Sequence, residues 1–320
     1  MNYAVRSSIL AISAALATLP ALALDLNANI EFDTNYVSTE KGNTAYVGAP
    51  ARGATQNGRV ELNALAKGIN GDGFVAAKAS FLAKRDSDVA DDDLWVQFGT
   101  STADLKLGRF EAADLFPLGR DTIVPFAGFD AYRAHLLRGR TGADVLQAAL
   151  TVNASEAVSF ELGLVERSAD AGTAQVTKGL RPVVTVKFGD FSVRAGVEAL
   201  KFESFNGGNT ESVNRTGAAL TGSYYLSNGS LNLNVAQGKN AADDKTTTVG
   251  LTGVIGALGG GVISGKAGDA KVNTVYVTYA LPLMGVKNAT ITPALAFSQG
   301  SGSNTAEDVT ALRVRINYGF

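Results

Sequence analysis

From Leu312 to Phe320 apolar and polar residues alternate without a break. Leu312, Val314, Ile316, Tyr318 and Phe320 fall on one face of an extended chain, and Arg313, Arg315 and Asn317 on the other. A strand with one apolar and one charged face needs two different surroundings. In a soluble sandwich the apolar face packs on a second sheet around one core. In a membrane barrel it meets lipid, the charged face lines a watery interior, and ring closure satisfies every backbone donor and acceptor. The aromatic Phe320 at the tip of this strand favours the barrel.

The opposite end agrees. Met1 to Ala23 reads as a secretory leader: Arg6 supplies the positive region, Ile9 to Leu22 the apolar stretch, and Ala21-Leu22-Ala23 the small-residue cleavage site. The expected organisation is a leader over 1–23 and a single barrel over 24–320. Composition fits an envelope protein. With no cysteine, disulfides, metal thiolates and thiol nucleophiles are excluded. A formal charge of -2 is too near neutral for a nucleic-acid partner. Charged residues make up 18% of the chain, below the roughly 25% usual for soluble domains. The 36 glycines and only seven prolines suit many strands and tight turns.

One uncharged stretch, Thr246 to Gly265, is long enough for a membrane helix. It holds seven glycines, and its β-branched residues favour strands, so it reads as a hairpin turning near Ala257 to Gly260. The rest of the chain divides into segments about as long as a tilted membrane strand, roughly 9–11 residues. These are Leu24 to Tyr36, Gly58 to Lys67, Phe74 to Lys84, Asp91 to Phe98 and Asp104 to Phe110. After a long interruption come Ala143 to Val152, Ala157 to Glu166, Leu180 to Phe188, Phe191 to Phe202, Val213 to Leu226 and Ser230 to Gly238. Thr246 to Gly256, Gly260 to Lys266, Lys271 to Leu281, Ala289 to Ser298 and Asp308 to Phe320 complete sixteen. Short connections such as Gly189-Asp190 alternate with longer polar ones such as Val37 to Asn57, Glu111 to Gly142 and Glu203 to Ser212. Short turns on the periplasmic rim and long loops outside are the arrangement of a bacterial barrel.

The C-terminal strand is similar to the closing signature of Gram-negative outer-membrane proteins. Asp93-Leu94-Trp95-Val96-Gln97-Phe98-Gly99-Thr100, running into Leu105-Lys106-Leu107-Gly108-Arg109, resembles a strand–turn–strand of the Gram-negative general porins, where an FG turn leads to an LGR before the third loop. Pro125-Phe126-Ala127-Gly128-Phe129-Asp130 resembles the glycine-containing tip of that loop. The resemblance covers the chain after its leader. It implies a sixteen-stranded antiparallel transmembrane β-barrel with an inward-folded third extracellular loop, assembled as a homotrimer in the outer membrane. The implied activity is passive diffusion of small hydrophilic solutes and ions through a water-filled channel, with no cofactor. Lipid and lipopolysaccharide would surround the barrel. Where the family's loop tip carries a carboxylate beside a glycine pair, this chain has Phe126 and Ala127.

By position Glu111 to Gly142 is that third loop, and 32 residues without a strand need such a role. Its candidates for a constriction are the acids Asp114, Asp121 and Asp130, the cations Arg120, Arg133, Arg138 and Arg140, and the only histidine, His135. Strand parity turns Arg59, Lys78, Lys106, Arg313 and Arg315 inward as a basic wall, with Lys67, Lys84, Arg181, Lys187, Arg194 and Arg215. Asp25, Glu31, Asp33, Glu61, Asp93, Glu161 and Glu198 oppose them. The balance is modestly basic and gives an expectation of weak anion preference, because a narrow low-dielectric opening concentrates the field. Charges that pair with one another would weaken it.

Asp86, Asp88, Asp91, Asp92 and Asp93 form an acidic run without the glycine and terminal glutamate of a calcium loop, so no metal is assigned. Trp95, Tyr36, Tyr225, Tyr279 and Tyr318 are candidates for an aromatic girdle. Only His135 is available as a catalytic base, and neither a G-x-S-x-G element nor a paired-histidine metal site accompanies it, so the chain is not expected to be an enzyme. Two alternatives remain: a specific channel for small anionic solutes, recognised by the arginine-rich loop, and a plugged adhesin or structural barrel.

Overall fold

A computed structural model describes residues 23–40, 52–86, 88–120, 122–142, 145–167, 175–206, 209–239, 244–302 and 308–320. Asp121 and the expected leader before Ala23 lie outside the described residues.

Sixteen antiparallel strands close into a ring. They are β1 (Ala23–Thr39), β2 (Arg52–Asn70), β3 (Gly73–Lys84), β4 (Val89–Gly99) and β5 (Ala103–Arg109). After the third loop, L3, come β6 (Val145–Asn153), β7 (Val158–Arg167), β8 (Gln175–Phe188), β9 (Phe191–Asn206) and β10 (Asn209–Leu226). The circuit is completed by β11 (Gly229–Lys239), β12 (Lys245–Ile255), β13 (Leu258–Ala267), β14 (Ala270–Tyr279), β15 (Ala289–Ser301) and β16 (Asp308–Gly319). Leu281–Pro282 extends β14 alongside β15. Each strand pairs with its sequence neighbours, and β1 pairs with β16 from Asn29↔Gly319 to Thr39↔Val309, which shuts the ring. No sheet edge is left open.

Closure sets the two faces. Opposed residues share a face, so the register Asp33↔Arg315, Glu31↔Arg59 and Arg59↔Lys84 turns all five charges inward. Leu26, Leu62, Leu233 and Leu251 point outward and are 54–67% exposed, and similar residues recur around the circumference. A soluble monomer seldom exposes a contiguous apolar patch beyond a few hundred Å². A belt encircling the barrel is stable only where its surroundings are apolar too, since each fully exposed Leu or Val forgoes about 1.5–3 kcal/mol in water.

The two rims differ. Phe188, Phe191 and Tyr224 cluster beside the Gly189-Asp190 turn, with ring centroids 5.9 and 4.7 Å apart. Tyr318 and Phe320 stack at 5.4 Å near the same rim, and Tyr279 is exposed there, as in a girdle. Trp95 does not join it: Trp95 opposes the inward Lys78, so its ring lies inside the barrel. Tyr225 also turns inward, within 3.2 Å of Ser192 Oγ.

Several strands extend beyond the alternation on the long-loop side. Thr39 rather than Tyr36 ends β1, and β2 begins at Arg52 rather than Gly58. The polar stretch expected as a loop over Glu203 to Ser212 is a continued hairpin, paired from Glu203↔Ser212 to Asn206↔Asn209.

Candidate functional site

L3 leaves the wall after β5 and runs inside the barrel as two limbs, residues 111–120 out and 126–140 back. The outgoing limb is held by wall side chains that reach its backbone. Glu161 Oε1 accepts from the Ala113 N–H at 3.0 Å, and Arg194 donates to the Asp114 carbonyl at 2.9 Å. Thr221 donates to the Leu115 carbonyl at 2.8 Å, Thr252 to Pro117 at 2.6 Å and Tyr276 to Leu118 at 2.5 Å. Arg313 then donates to the Thr122 carbonyl at 3.2 Å, having crossed from β16. The limbs join at Phe126–Gly128, a single 3-10 turn in which Phe126 and Ala127 take φ of +48° and +47°. Two successive non-glycine residues in the left-handed region are strained, and the surrounding packing over-determines them: Ala127 is buried.

Leu115, Phe116, Ile123, Ala131, Tyr132 and Ala134 pack against inward residues of the β8–β16 arc, among them Val183, Ala219, Ala236, Ile263 and Val272. Space for them comes from missing side chains. A Cβ added to Gly217 would lie 1.6 Å from the Tyr132 hydroxyl, and one on Gly250 would lie 2.8 Å from the Phe116 ring. Gly179, Gly196 and Gly238 make comparable room for Leu137, Leu115 and Tyr132. Sequence reasoning gave the glycines to turns and missed this seat. Its signal is inward glycine recurring on neighbouring strands.

The returning limb is anchored by a buried polar cage. Glu198, on β9, accepts from the Tyr132 hydroxyl at 2.7 Å and from the backbone N–H groups of Leu136 and Leu137 at 3.4 and 3.3 Å. Arg181, on β8, donates to the carbonyls of Ala113 and Ala134 and so bridges both limbs. Burial beside Glu198 pushes the Tyr132 phenol well above its ordinary pKa.

With L3 seated on the β8–β16 arc, the inner faces of β1 to β5 are the opposing wall. Glu31 and Asp33 sit in an arginine lattice: Arg315 binds Asp33 through two bonds of 2.7 Å, and Arg59 lies 3.0 Å from Glu31. Arg313 donates to Asn35 at 2.8 Å. Lys78 donates to Asp93 at 2.7 Å. The register shift between Ala79 and Phe81 lets both Asp92 and Asp93 reach Arg140, at 3.1 and 2.7 Å. Lys106 meets rings instead, 4.6 Å from the Trp95 centroid and 5.4 Å from Phe110. A cavity of about 570 Å³ beside this wall is lined by Glu31, Asp33, Arg59, Lys84 and Arg315.

The loop residues separate into two groups. Arg138 and Arg140 sit at the neck of L3, 3.0 and 3.1 Å from Glu111, a partner the sequence reading did not single out. Burial alone would lower the Arg140 pKa, but the Asp93 hydrogen bond and the nearby acids outweigh it and raise it. Asp114, Arg120, Arg133, His135 and Arg138 line a second cavity, of about 500 Å³. Asp114 caps the Phe116 N–H at 3.0 Å and lies 3.6 Å from Arg138. Arg120 donates to the Gly256 carbonyl at 2.5 Å, and Arg133 lies over the Phe126 ring at 5.3 Å. His135 Nδ1 accepts from the Arg133 backbone N–H at 3.3 Å. Burial, reinforced by the charge of Arg133, pushes the His135 pKa down to about 4, so the imidazole is neutral at pH 7. Asp130 is exposed and Asp121 lies outside the described residues.

A closed sixteen-strand ring with a loop lying along one arc of its inner wall decides the fold. The chain has the porin fold. An anion-selective porin from Comamonas acidovorans aligns over 94% of this chain and all of its own, with TM-score 0.66 and 16% identity. The loop L8 deletion mutant of OmpT, an outer membrane protein of Vibrio cholerae, aligns over the same shares with TM-score 0.67 and 13% identity. A mutant of Rh. blastica porin aligns over 92% of this chain and all of its own, with TM-score 0.57 and 14% identity. No family model and no curated protein sequence matches the chain.

Proposed function

We propose that this chain is an outer-membrane porin of a Gram-negative bacterium, passing small hydrophilic solutes and ions through an open lumen with a weak preference for anions. The observation that carries the preference is an imbalance in pairing. On the β1–β4 wall Glu31, Asp33, Glu61 and Asp93 each lie within 4 Å of an arginine or lysine. Among the described residues, Lys84, Lys106, Arg120 and Arg133 border the lumen cavities or wall with no carboxylate within 4 Å. Paired charges largely cancel at a distance, whereas unpaired ones set the potential that a passing ion meets.

The apolar belt suits lipid, with lipopolysaccharide as its partner on the outer leaflet, and a homotrimer fits the family resemblance. The Comamonas structure is named for anion selectivity, and its likeness in fold is compatible with this reading. A catalytic role has no support from His135, whose Nδ1 is engaged by backbone and whose neutrality follows from burial beside arginines.

The test is a reversal potential across a planar bilayer under a KCl gradient, using the refolded protein. Stable conductance steps with a chloride-selective reversal are expected. Cation selectivity would overturn the preference and leave the channel. A folded barrel without conductance would overturn the channel itself.

A further inference from the structure

Three guanidinium groups converge on the cavity between the limbs of L3, and their donors are not all used. The Nε atoms of Arg120, Arg133 and Arg138, and Oγ1 of Thr122, are buried without a hydrogen-bond partner, and all four residues line this one space. Buried polar groups are nearly always satisfied, and each orphan costs on the order of 1–3 kcal/mol. Four orphans on one cavity form a pattern that a ligand would complete. The charges argue the same way. Among the described residues Asp114 is the one carboxylate of the lining; it caps Phe116 and faces Arg138, which also pairs with Glu111 at 3.0 Å, so Arg120 and Arg133 are left with no carboxylate within 4 Å. Like charges gathered in a partly dehydrated space repel one another strongly. The required occupant is an acceptor-rich anion.

We infer that the crook of L3 is a binding subsite for a small oxyanion, a carboxylate or a phosphate, held by Arg120, Arg133 and Arg138 with Thr122. Planar guanidinium forks match the paired oxygens of either group, which a spherical chloride does not exploit. The cavity, about 500 Å³, lies within the roughly 300–1,000 Å³ typical of small-molecule sites. This rests on the porin reading only for its consequence: a solute that dwells in the crook converts passive conduction into saturable conduction. Arg133 is the central group, because its backbone N–H binds His135 and its guanidinium lies over Phe126.

His135 supplies a readout independent of conductance. It lines the same cavity, it is the only histidine of the chain, and burial together with the charge of Arg133 holds it neutral. An oxyanion bound beside it favours the imidazolium and raises its titration midpoint. The experiment is an NMR titration of the imidazole signals of the refolded full chain in detergent, with succinate or inorganic phosphate added at constant ionic strength. Saturable shifts and a raised midpoint are expected with at least one of the two. Succinate alone identifies a carboxylate site, phosphate alone a phosphate site, and both together the shared chemistry. Arg133→Gln is expected to weaken the response about tenfold or more. Should that variant fail to fold, Arg120→Gln carries the same expectation. No shift with either anion, equal shifts with sodium chloride, or an undiminished response in a folded variant would overturn the subsite. Conductance steps in KCl alone test the porin reading separately, so loss of one result leaves the other standing.

Discussion

The Tyr132 hydroxyl donates to Glu198 Oε1 at 2.7 Å, joining the returning limb of L3 to β9 across a contact from which water is excluded. Arg181 lies 4.0 Å from the same carboxylate and is equally buried. One acid therefore accepts from a phenol and two backbone N–H groups and lends its charge to a guanidinium that it does not hydrogen-bond.

Removing that acid should release the loop before it unfolds the barrel. Glu198→Ala strips Tyr132 and two backbone N–H groups of their acceptor and leaves buried Arg181 with Glu161, at 3.8 Å, as its carboxylate, a change that costs up to about 3–5 kcal/mol. Tyr132→Phe removes one charge-assisted bond and should cost less, about 1.5–3 kcal/mol. Trypsin cleavage at Arg133 and Arg138 in the folded barrel reads the effect, and the order expected is Glu198→Ala, then Tyr132→Phe, then wild type. Equal protection in all three would mean that the cage does not hold the loop.

Gly217→Ala should act through Tyr132. The new methyl would occupy the place of the hydroxyl, and the ring cannot retreat without giving up Glu198. Overpacking of this kind costs about 1–3 kcal/mol. Gly222→Ala on the same strand meets nothing within 4 Å and serves as the control. Unchanged loop protection in Gly217→Ala would refute the seat.

Two substitutions should move ion selectivity in opposite directions. Lys106→Gln removes a cation that engages rings rather than acids, and should shift the reversal potential toward cations. Asp93→Asn strips Lys78 of its carboxylate and Arg140 of one of its own, and should shift it toward anions. Shifts of the same sign would contradict the pairing argument.

His135 gives a pH test with a definite sign. Burial and Arg133 hold its pKa at about 4, below the ordinary 6.5. Between those values the unfolded chain binds a proton that the folded chain refuses. Its contribution to stability is therefore complete above about pH 6.5 and is lost as pH falls toward 4. Without added oxyanion, the midpoint of its NMR signals should lie near 4. A midpoint near 6.5 would place the ring in water.

Trp95, the only tryptophan, reports which face it occupies. Aqueous iodide should quench its fluorescence and brominated lipid should not. The reverse pattern would return Trp95 to the lipid girdle.

The strand ladder was legible because lipid and water impose period two wherever a strand lies between them. It faded where β9 and β10 rise beyond the apolar belt: Glu203 to Ser212 kept its hydrogen-bond ladder and lost its alternation. Trp95 was misassigned because its residue type suits an interface, while its register with Lys78 turns it inward. L3 was recognisable by length, and its cations by type. Which of them stay unpaired was not legible. Arg140 is neutralised through a bulge at Ala79/Phe81, and Arg138 by Glu111, relationships that depend on strand offset and loop path rather than spacing.

The glycine-floored arc divides the tube into a half that resists change and a half that permits it. A single methyl group arriving beneath Tyr132 or Phe116 disturbs the loop and with it the bore. Opposite, Lys84 borders a cavity and Lys106 lies over the Trp95 and Phe110 rings, and neither holds the loop. On the proposed porin reading, descendants of this gene would drift in ionic taste while inheriting a fixed aperture, and libraries built to retune the conduit would belong on β1 to β5.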